Sequence, residues 1–333
     1  MHTNKIRFFL CSWSPIPWSL PFPHTIVNVF GSSAILSLCY DDALGDRRKG
    51  KEGDKGTLAV QWKSSTIHLF FKRLLSLLRF QMAIQLEYRA VMWIWLFSGF
   101  ALPLINMAVW TSVSQSGEVA GYSSSDFVSY FLAVMAVDHA VAEWTVYHWE
   151  WMVRRGDLSP KLLRPIDPIW ELAMENLGYK VAQGIITVPI WILLWFLLKG
   201  SPYQLTILTV MGFLTAVVLA GILNFLIGYT FSLTAFWIIR VGALYEMLAW
   251  GIGYFFSGRM APLGALPDWV VSLSYWLPFP YTMAFPVDAL MGRCDQEEWL
   301  RGFLSQIAWI LVFCVVRRVL WGLGLRKYTA VGG

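Results

Sequence analysis

Four ionisable residues, Asp138, His139, Glu143 and His148, lie close together within one long apolar segment. Ionisable groups in such a segment are costly and often functional, because carboxylates and imidazoles can pass protons or bind metals. His139 and Glu143 are four residues apart, so a continuous helix would put them on one face. The HExxH zinc spacing is absent, and two ligands do not complete a zinc site. The cluster therefore predicts either a proton relay or, more simply, a polar patch paired with a neighbouring helix.

A second charged motif, residues 45–52 (GDRRKGKE), resembles a phosphate-binding P-loop but lacks an essential group. Glu52 occupies the position that needs Ser or Thr for magnesium, and no apolar strand leads into the motif. We therefore expect no nucleotide site and no ATPase activity in this chain. Cys11, Cys39, Cys294 and Cys314 show no paired spacing. The sequence predicts no catalytic residue, no metal and no cofactor.

The composition indicates an integral membrane protein. Of the 333 residues, 57% are hydrophobic and 14% are charged, whereas soluble domains are about 45–50% apolar and about 25% charged. The 19 tryptophans add to this interpretation, because Trp favours membrane interfaces. The net charge of +5 is explained by basic cytoplasmic loops, so nucleic acid is not an expected partner.

The apolar runs predict an all-α membrane protein with six transmembrane helices. A helix needs about 20 apolar residues to cross the bilayer. We assign six runs as spans: residues 90–113, 126–148, 177–198, 203–237, the shorter 241–256, and 303–323. A seventh apolar run, residues 269–290, contains Pro278, Pro280 and Pro286. Because proline breaks helices, we interpret this run as an outer re-entrant hairpin. Residues 66–89 predict a basic amphipathic helix on the membrane surface.

The distribution of Lys and Arg predicts that both termini are cytoplasmic. Basic residues are concentrated in cytoplasmic loops. The segments that this orientation makes cytoplasmic contain, among others, Arg154, Arg155, Lys161, Arg164, Arg240, Arg317, Arg318, Arg326 and Lys327. The outer segments contain Lys199, Arg259, Arg293 and Arg301. Residues 1–62, which are rich in proline and charge, do not show the alternation of long apolar runs and basic loops. We expect them to be a poorly ordered or spurious extension.

The cytoplasmic loop at residues 149–171 contains a short helical turn bounded by glycine and prolines. Leu158, Leu162 and Leu163 fall on one face of this turn. Exposed leucines typically fit a groove in a partner protein, and the simpler alternative is that they fold back onto the bilayer. The spacing therefore predicts a protein-docking surface.

The same residues resemble the permease subunits of ABC-2-type exporters, in particular a bacterial six-span subfamily. The resemblance covers residues 64–328 and rests on RRGDLSPKLLRPIDP (154–168), SGRMAPLGALPDW (257–269), LPFPYTMAFPVDALMG (277–292) and the amphipathic helix. It implies a permease domain at residues 63–333 in the bacterial cytoplasmic (inner) membrane. It also implies a second permease subunit, identical or different, and a separate ABC ATPase that powers export.

The resemblance also assigns residues to roles. The contact with the ATPase would be a coupling helix, formed by Gly156, Leu158, Leu162, Leu163, Arg164 and Pro165. The outer re-entrant region would contain Ser257, Gly258, Pro262, Pro267, Pro278 and Pro280. The apolar and aromatic composition permits lipids, hydrophobic drugs or glycolipids as substrates.

Two other functions are compatible with the residues alone. One is an ion- or proton-coupled secondary transporter that uses Asp138, His139 and Glu143. Such transporters often carry internal repeats, and we see none in this sequence. The other is an intramembrane enzyme built on His139 and His148, which would need a third ligand.

Overall fold

The computed structural model describes residues 55–87, 89–164, 166–203, 205–238 and 240–328. These ranges contain no β-strand, and the chain from Ile67 onward forms one compact unit. The α-helices within them are α1, Lys55–Glu87; α2, Arg89–Val113; α3, Ser124–Val141; α4, Thr145–Arg155; α5, Leu158–Leu162; α6, Pro168–Leu197; α7, Ile207–Ser232; α8, Val241–Glu246; α9, Tyr254–Phe256; α10, Asp268–Ser274; α11, Ala284–Met291; and α12, Gln296–Lys327. A π-helical segment, Met247–Gly253, joins α8 to α9.

Five helical segments of the described ranges are long and apolar enough to cross a membrane. They are Met92–Ser116, Ser124–Arg155, Pro168–Leu197, Ile207–Phe236 and Gln296–Lys327. The predicted fifth span, Val241–Phe256, is apolar but shorter than these. Helices suit this role because each satisfies its own backbone hydrogen bonds in lipid.

Helix α1 begins at Lys55, upstream of the predicted start at residue 66, and no proline interrupts it. The rest of the predicted extension, residues 1–54, lies outside the described residues. Lys72, Ser76 and Arg79 are exposed, as the amphipathic pattern requires. Gln81 is buried against Gly178 of α6, so this end of α1 packs on the bundle.

Helix α3 is the centre of the unit. Phe127, Tyr130, Phe131 and Val134 are fully or almost fully buried, and α3 contacts α2, α6, α7 and α11. A helix surrounded in this way does not depend on lipid for its environment. It can therefore carry polar side chains that find partners on its neighbours.

The predicted continuous helix over residues 126–148 is interrupted at Ala142–Trp144, between α3 and α4. The carbonyl groups released by the break have partners: Asn224 Nδ2 donates to the carbonyl of Val141 at 2.8 Å, and Asn176 Nδ2 donates to that of Ala142 at 3.2 Å. Glu143 lies in the break. The prediction that His139 and Glu143 share a helix face is therefore wrong.

The Pro-interrupted run at residues 269–290 forms two short helices, α10 and α11, separated by Pro278 and Pro280. Helix α11 is largely buried and contacts α3 and α7. Gln306 of α12 stabilises the link between α10 and α11, because its side-chain amide nitrogen, Nε2, donates a hydrogen bond to the carbonyl of Tyr281 at 2.9 Å. Helices α10 and α11 are thus linked by a segment that is hydrogen-bonded to α12.

Candidate functional site

Residues 156–167, named the coupling segment after their predicted role, begin where α4 ends. Gly156 adopts a left-handed backbone (φ 77°) that terminates α4, a conformation that favours glycine. The short helix α5 follows immediately, with the Ser159 amide donating to the Gly156 carbonyl at 3.1 Å. Gly156 therefore sets the direction in which α5 leaves the bundle.

Leu158 is fully buried, which corrects the prediction of three exposed leucines on one face. Its side chain lies in a core cluster with Trp149, Tyr229 and Leu233. Leu162 packs partly against the same cluster. Only Leu163 is exposed, at 88% of its surface. The segment therefore packs on the bundle, because Leu158 of α5 is buried in a cluster with residues of α4, α6 and α7.

Polar contacts fix the other side of the coupling segment. Ser159 Oγ lies 2.9 Å from the Tyr328 hydroxyl, just after α12. Lys161 Nζ lies 2.9 Å from Glu171 Oε1 of α6. The Asp167 carboxylate caps α6 by accepting the Ile169 amide at 3.1 Å. The Tyr328 contact joins the segment to the chain after α12, and the other two contacts join it to α6, which follows directly.

The remaining surface of the segment forms an exposed rim of apolar and basic groups. Leu163 is its most prominent member, and the neighbouring Arg164 guanidinium is half-exposed, 3.5 Å from Glu171. The Arg155 guanidinium stacks over the exposed Trp151 ring at 3.7 Å. Pro165, also predicted here, lies outside the described residues.

The polar residues of α3 and of the break after it have protein partners instead of forming one relay. Asp138 Oδ1 accepts from Arg259 Nε at 2.8 Å, and His139 Nε2 lies 3.2 Å from the Lys180 carbonyl. Glu143 accepts from the Thr145 amide and from the Tyr245 hydroxyl. These contacts favour the interpretation of a paired polar patch.

His148 lies elsewhere, 2.8 Å from Glu175. His148 and His139 therefore contact different neighbours. Among the described residues, no group of three His, Cys, Asp or Glu side chains is placed to bind a metal.

The charge pattern places Arg259 in the outer loops and does not identify it as the partner of Asp138. The position of Arg259 is nevertheless unusual, because it is the one basic residue between positions 241 and 292. Gly228 of α7 was not predicted either; its lack of a side chain leaves room for the Glu143 carboxylate. Nothing in the local sequence of α7 indicates that contact.

The turn that carries Arg259 belongs to the predicted re-entrant region and is held from several sides. Tyr130 donates to the Gly258 carbonyl at 2.7 Å, and the indole of Trp110 donates to the Met260 carbonyl at 2.9 Å. Gly258 has φ 91° and abuts Tyr130. Most of the predicted re-entrant residues are buried, namely Ser257, Gly258, Pro262, Pro278 and Pro280, whereas Pro267 is exposed.

Two recesses border Asp138. The first lies between α2, α3 and the segment running from the π-helical turn to Arg259, and includes Trp250 and Tyr254. The second lies between α2, α3 and α6. Gly99 of α2 borders both.

A bundle of long apolar helices packed around one central helix is the architecture of a polytopic membrane protein. The profile of the ABC-2 family transporter proteins matches residues 100–332, more than two thirds of the chain, so the chain belongs to that family. It is accordingly a membrane permease component of an ABC transporter. No curated protein and no solved structure gave a significant match.

Proposed function

We propose that this permease is the membrane subunit of an ATP-driven exporter and that its coupling segment docks on a separate ABC ATPase. The observation that carries the proposal is Leu163, 88% exposed at the tip of a segment whose opposite face is buried. A large apolar side chain held in this way is typical of a protein-binding surface. Arg164 beside it adds a charge that can orient the partner.

The coupling segment is attached firmly enough to transmit movement. Leu158 anchors α5 in the core at the ends of α4 and α7, and Ser159 links it to Tyr328 beyond α12. An applied force would therefore move several helices together, as switching through packed elements requires. In this proposal Gly156, Leu158 and Leu162 shape the segment, while Leu163, Arg164 and Pro165 contact the ATPase.

We further propose six spans, with both termini and the coupling segment in the cytoplasm of a bacterial cell and the permease in its inner membrane. Val241–Phe256 is the short fifth span. At about 1.5 Å per residue it rises about 24 Å, less than the roughly 30 Å of the hydrocarbon core. The re-entrant hairpin of α10 and α11 fills the remaining outer depth. The positive-inside distribution of Lys and Arg supports this orientation.

The translocation path in this proposal forms between two permease subunits, identical or different, as the resemblance to ABC-2 exporters implies. The ion-coupled alternative has no comparable support. Asp138, His139 and Glu143 each contact protein groups, as expected of residues that stabilise a broken helix.

The docking surface is tested by Leu163→Asp in the chain co-expressed with its ABC ATPase. We expect normal membrane levels, because Leu163 makes little contact with the bundle, but loss of the co-purifying ATPase and of ATP-dependent export. Leu205→Asp is the matched control, since Leu205 is also exposed but precedes α7 at the other end of the bundle. Retention of ATPase and export by Leu163→Asp would show that the segment does not dock there.

A further inference from the structure

The recess between α2, α3 and α6 contains two buried polar atoms without a hydrogen-bond partner: Oε1 of Gln183 and Oγ1 of Thr187. The two residues are only 4% and 5% exposed. They are four positions apart on α6, so both lie on the same face of the helix. Leaving a buried acceptor unpaired is unfavourable, and native structures usually supply a partner.

The walls of this recess are aromatic. Trp144 stacks obliquely on Trp95, with ring centroids 5.7 Å apart, and meets Tyr179 edge-on at 5.3 Å. Aromatic faces attract cations and also pack against apolar chains. On the α2 side of the recess, Trp95 and Gly99 are exposed.

One side of the recess is acidic. Asp138 borders it, and the Arg259 guanidinium contacts Oδ1 from the neighbouring recess. Oδ2 of Asp138 accepts no hydrogen bond from any described protein group. Among the described residues that line this recess, none is a lysine or an arginine. An anionic head group would therefore meet the Asp138 carboxylate with no lysine or arginine among these residues to balance it.

We propose that this recess binds an amphiphile whose head group is a protonated primary amine and whose apolar tail leaves between α2 and α6. The ammonium N–H groups would donate to Gln183 Oε1, Thr187 Oγ1 and the free oxygen of Asp138. The aromatic walls would lie against the cation. A quaternary ammonium has no N–H to donate, so it leaves the two acceptors unpaired. The inference concerns binding to the permease alone and does not depend on the ATPase.

The direct test measures binding of radiolabelled dodecylamine to the purified full chain in phosphatidylcholine nanodiscs, with empty nanodiscs subtracted. We expect saturable binding at one site. Dodecyltrimethylammonium should compete at least tenfold more weakly than unlabelled dodecylamine, and dodecanoate should not compete. Binding that does not saturate would overturn the proposal. Equal competition by dodecyltrimethylammonium would overturn the requirement for N–H donors.

Two variants distinguish an effect on amine binding from an effect on the stability of the fold. Thr187→Val and Gln183→Leu keep the approximate side-chain volume and remove the unpaired atoms. We expect each to weaken dodecylamine binding at least tenfold. In the empty protein Thr187→Val should leave the melting temperature unchanged or raise it, since an unpaired buried hydroxyl is gone. Thr215→Val on the exposed face of α7 is the control and should bind as the wild type does. Wild-type affinity in both recess variants would show that the recess holds nothing but water.

Discussion

Nε of Arg259 lies 2.8 Å from Oδ1 of Asp138, and this ion pair joins the central helix α3 to the turn after α9. The two residues are 121 positions apart. The pair therefore ties the chain after α9 to the central helix of the bundle. It also gives each charge a partner, as charged groups in membrane proteins need.

Substitutions of Asp138 and Arg259 should not be additive, because removing either partner leaves the other without its counter-ion. Arg259→Gln leaves a largely buried carboxylate without its counter-ion, and we expect a loss of about 1–3 kcal/mol in stability, discounted for the partial exposure of the pair. The double variant Asp138→Asn/Arg259→Gln should lose less than the sum of the single variants. The measurement is the melting temperature of the wild type, the two single variants and the double variant, all purified in one detergent. Strict additivity would show that the two side chains do not interact.

Leu158 and Leu163 should respond very differently to truncation. Leu158→Ala opens a cavity in the cluster around Trp149 and should cost about 2–5 kcal/mol. Leu163→Ala should stay within about 0.5 kcal/mol of the wild type, because its side chain is 88% exposed. Thermal unfolding and membrane yield distinguish the two. Similar losses would contradict the assignment of Leu158 to the core.

We expect Gly228 to tolerate substitution by alanine less well than Gly221, although both lie on α7. A Cβ at Gly228 would overlap the Glu143 carboxylate, whereas a Cβ at Gly221 would lie 3.5 Å from its nearest neighbour, the Ala140 carbonyl. We expect Gly228→Ala to lower the melting temperature and Gly221→Ala to leave it unchanged or raise it by the helix preference of alanine. If Gly228→Ala is neutral, the Glu143 carboxylate does not occupy that space.

Cys294 should be a slow reporter of topology. Burial, together with the nearby Asp288, Glu298 and Asp295 carboxylates, raises the pKa of its thiol to about 12. Only the thiolate attacks maleimides, so near neutral pH we expect slow labelling that accelerates as the pH rises. The rate is measured in a variant lacking the other three cysteines. Rapid labelling at neutral pH, equal to that of an exposed cysteine, would contradict this environment.

Orientation needs faster reporters in a cysteine-free background. Glu297→Cys, at a side chain that is 81% exposed, should react with an impermeant maleimide in intact cells. Asp157→Cys, in the coupling segment, should react only after permeabilisation. The reverse pattern would invert the proposed topology and move the coupling segment outside the cell.

The sequence by itself determined the class of the protein and the approximate positions of the long apolar helices. Apolar runs of about 20 residues predict membrane helices because backbone groups in lipid must bond within their own segment. Gly156 and the prolines that follow it predicted an interruption after α4, and the structure has one there. The family resemblance also came from linear motifs, and it agrees with the match over residues 100–332.

Only the tertiary structure decided which side chains are buried and which are paired. Three leucines of the coupling segment look alike in sequence, yet Leu158 is in the core and Leu163 is exposed, because the ends of α4 and α7 meet on one side of α5. Glu143 leaves the helical path because Tyr245, 102 positions away, donates to its carboxylate. Long-range contacts of this kind depend on how helices pack, and no local spacing encodes them.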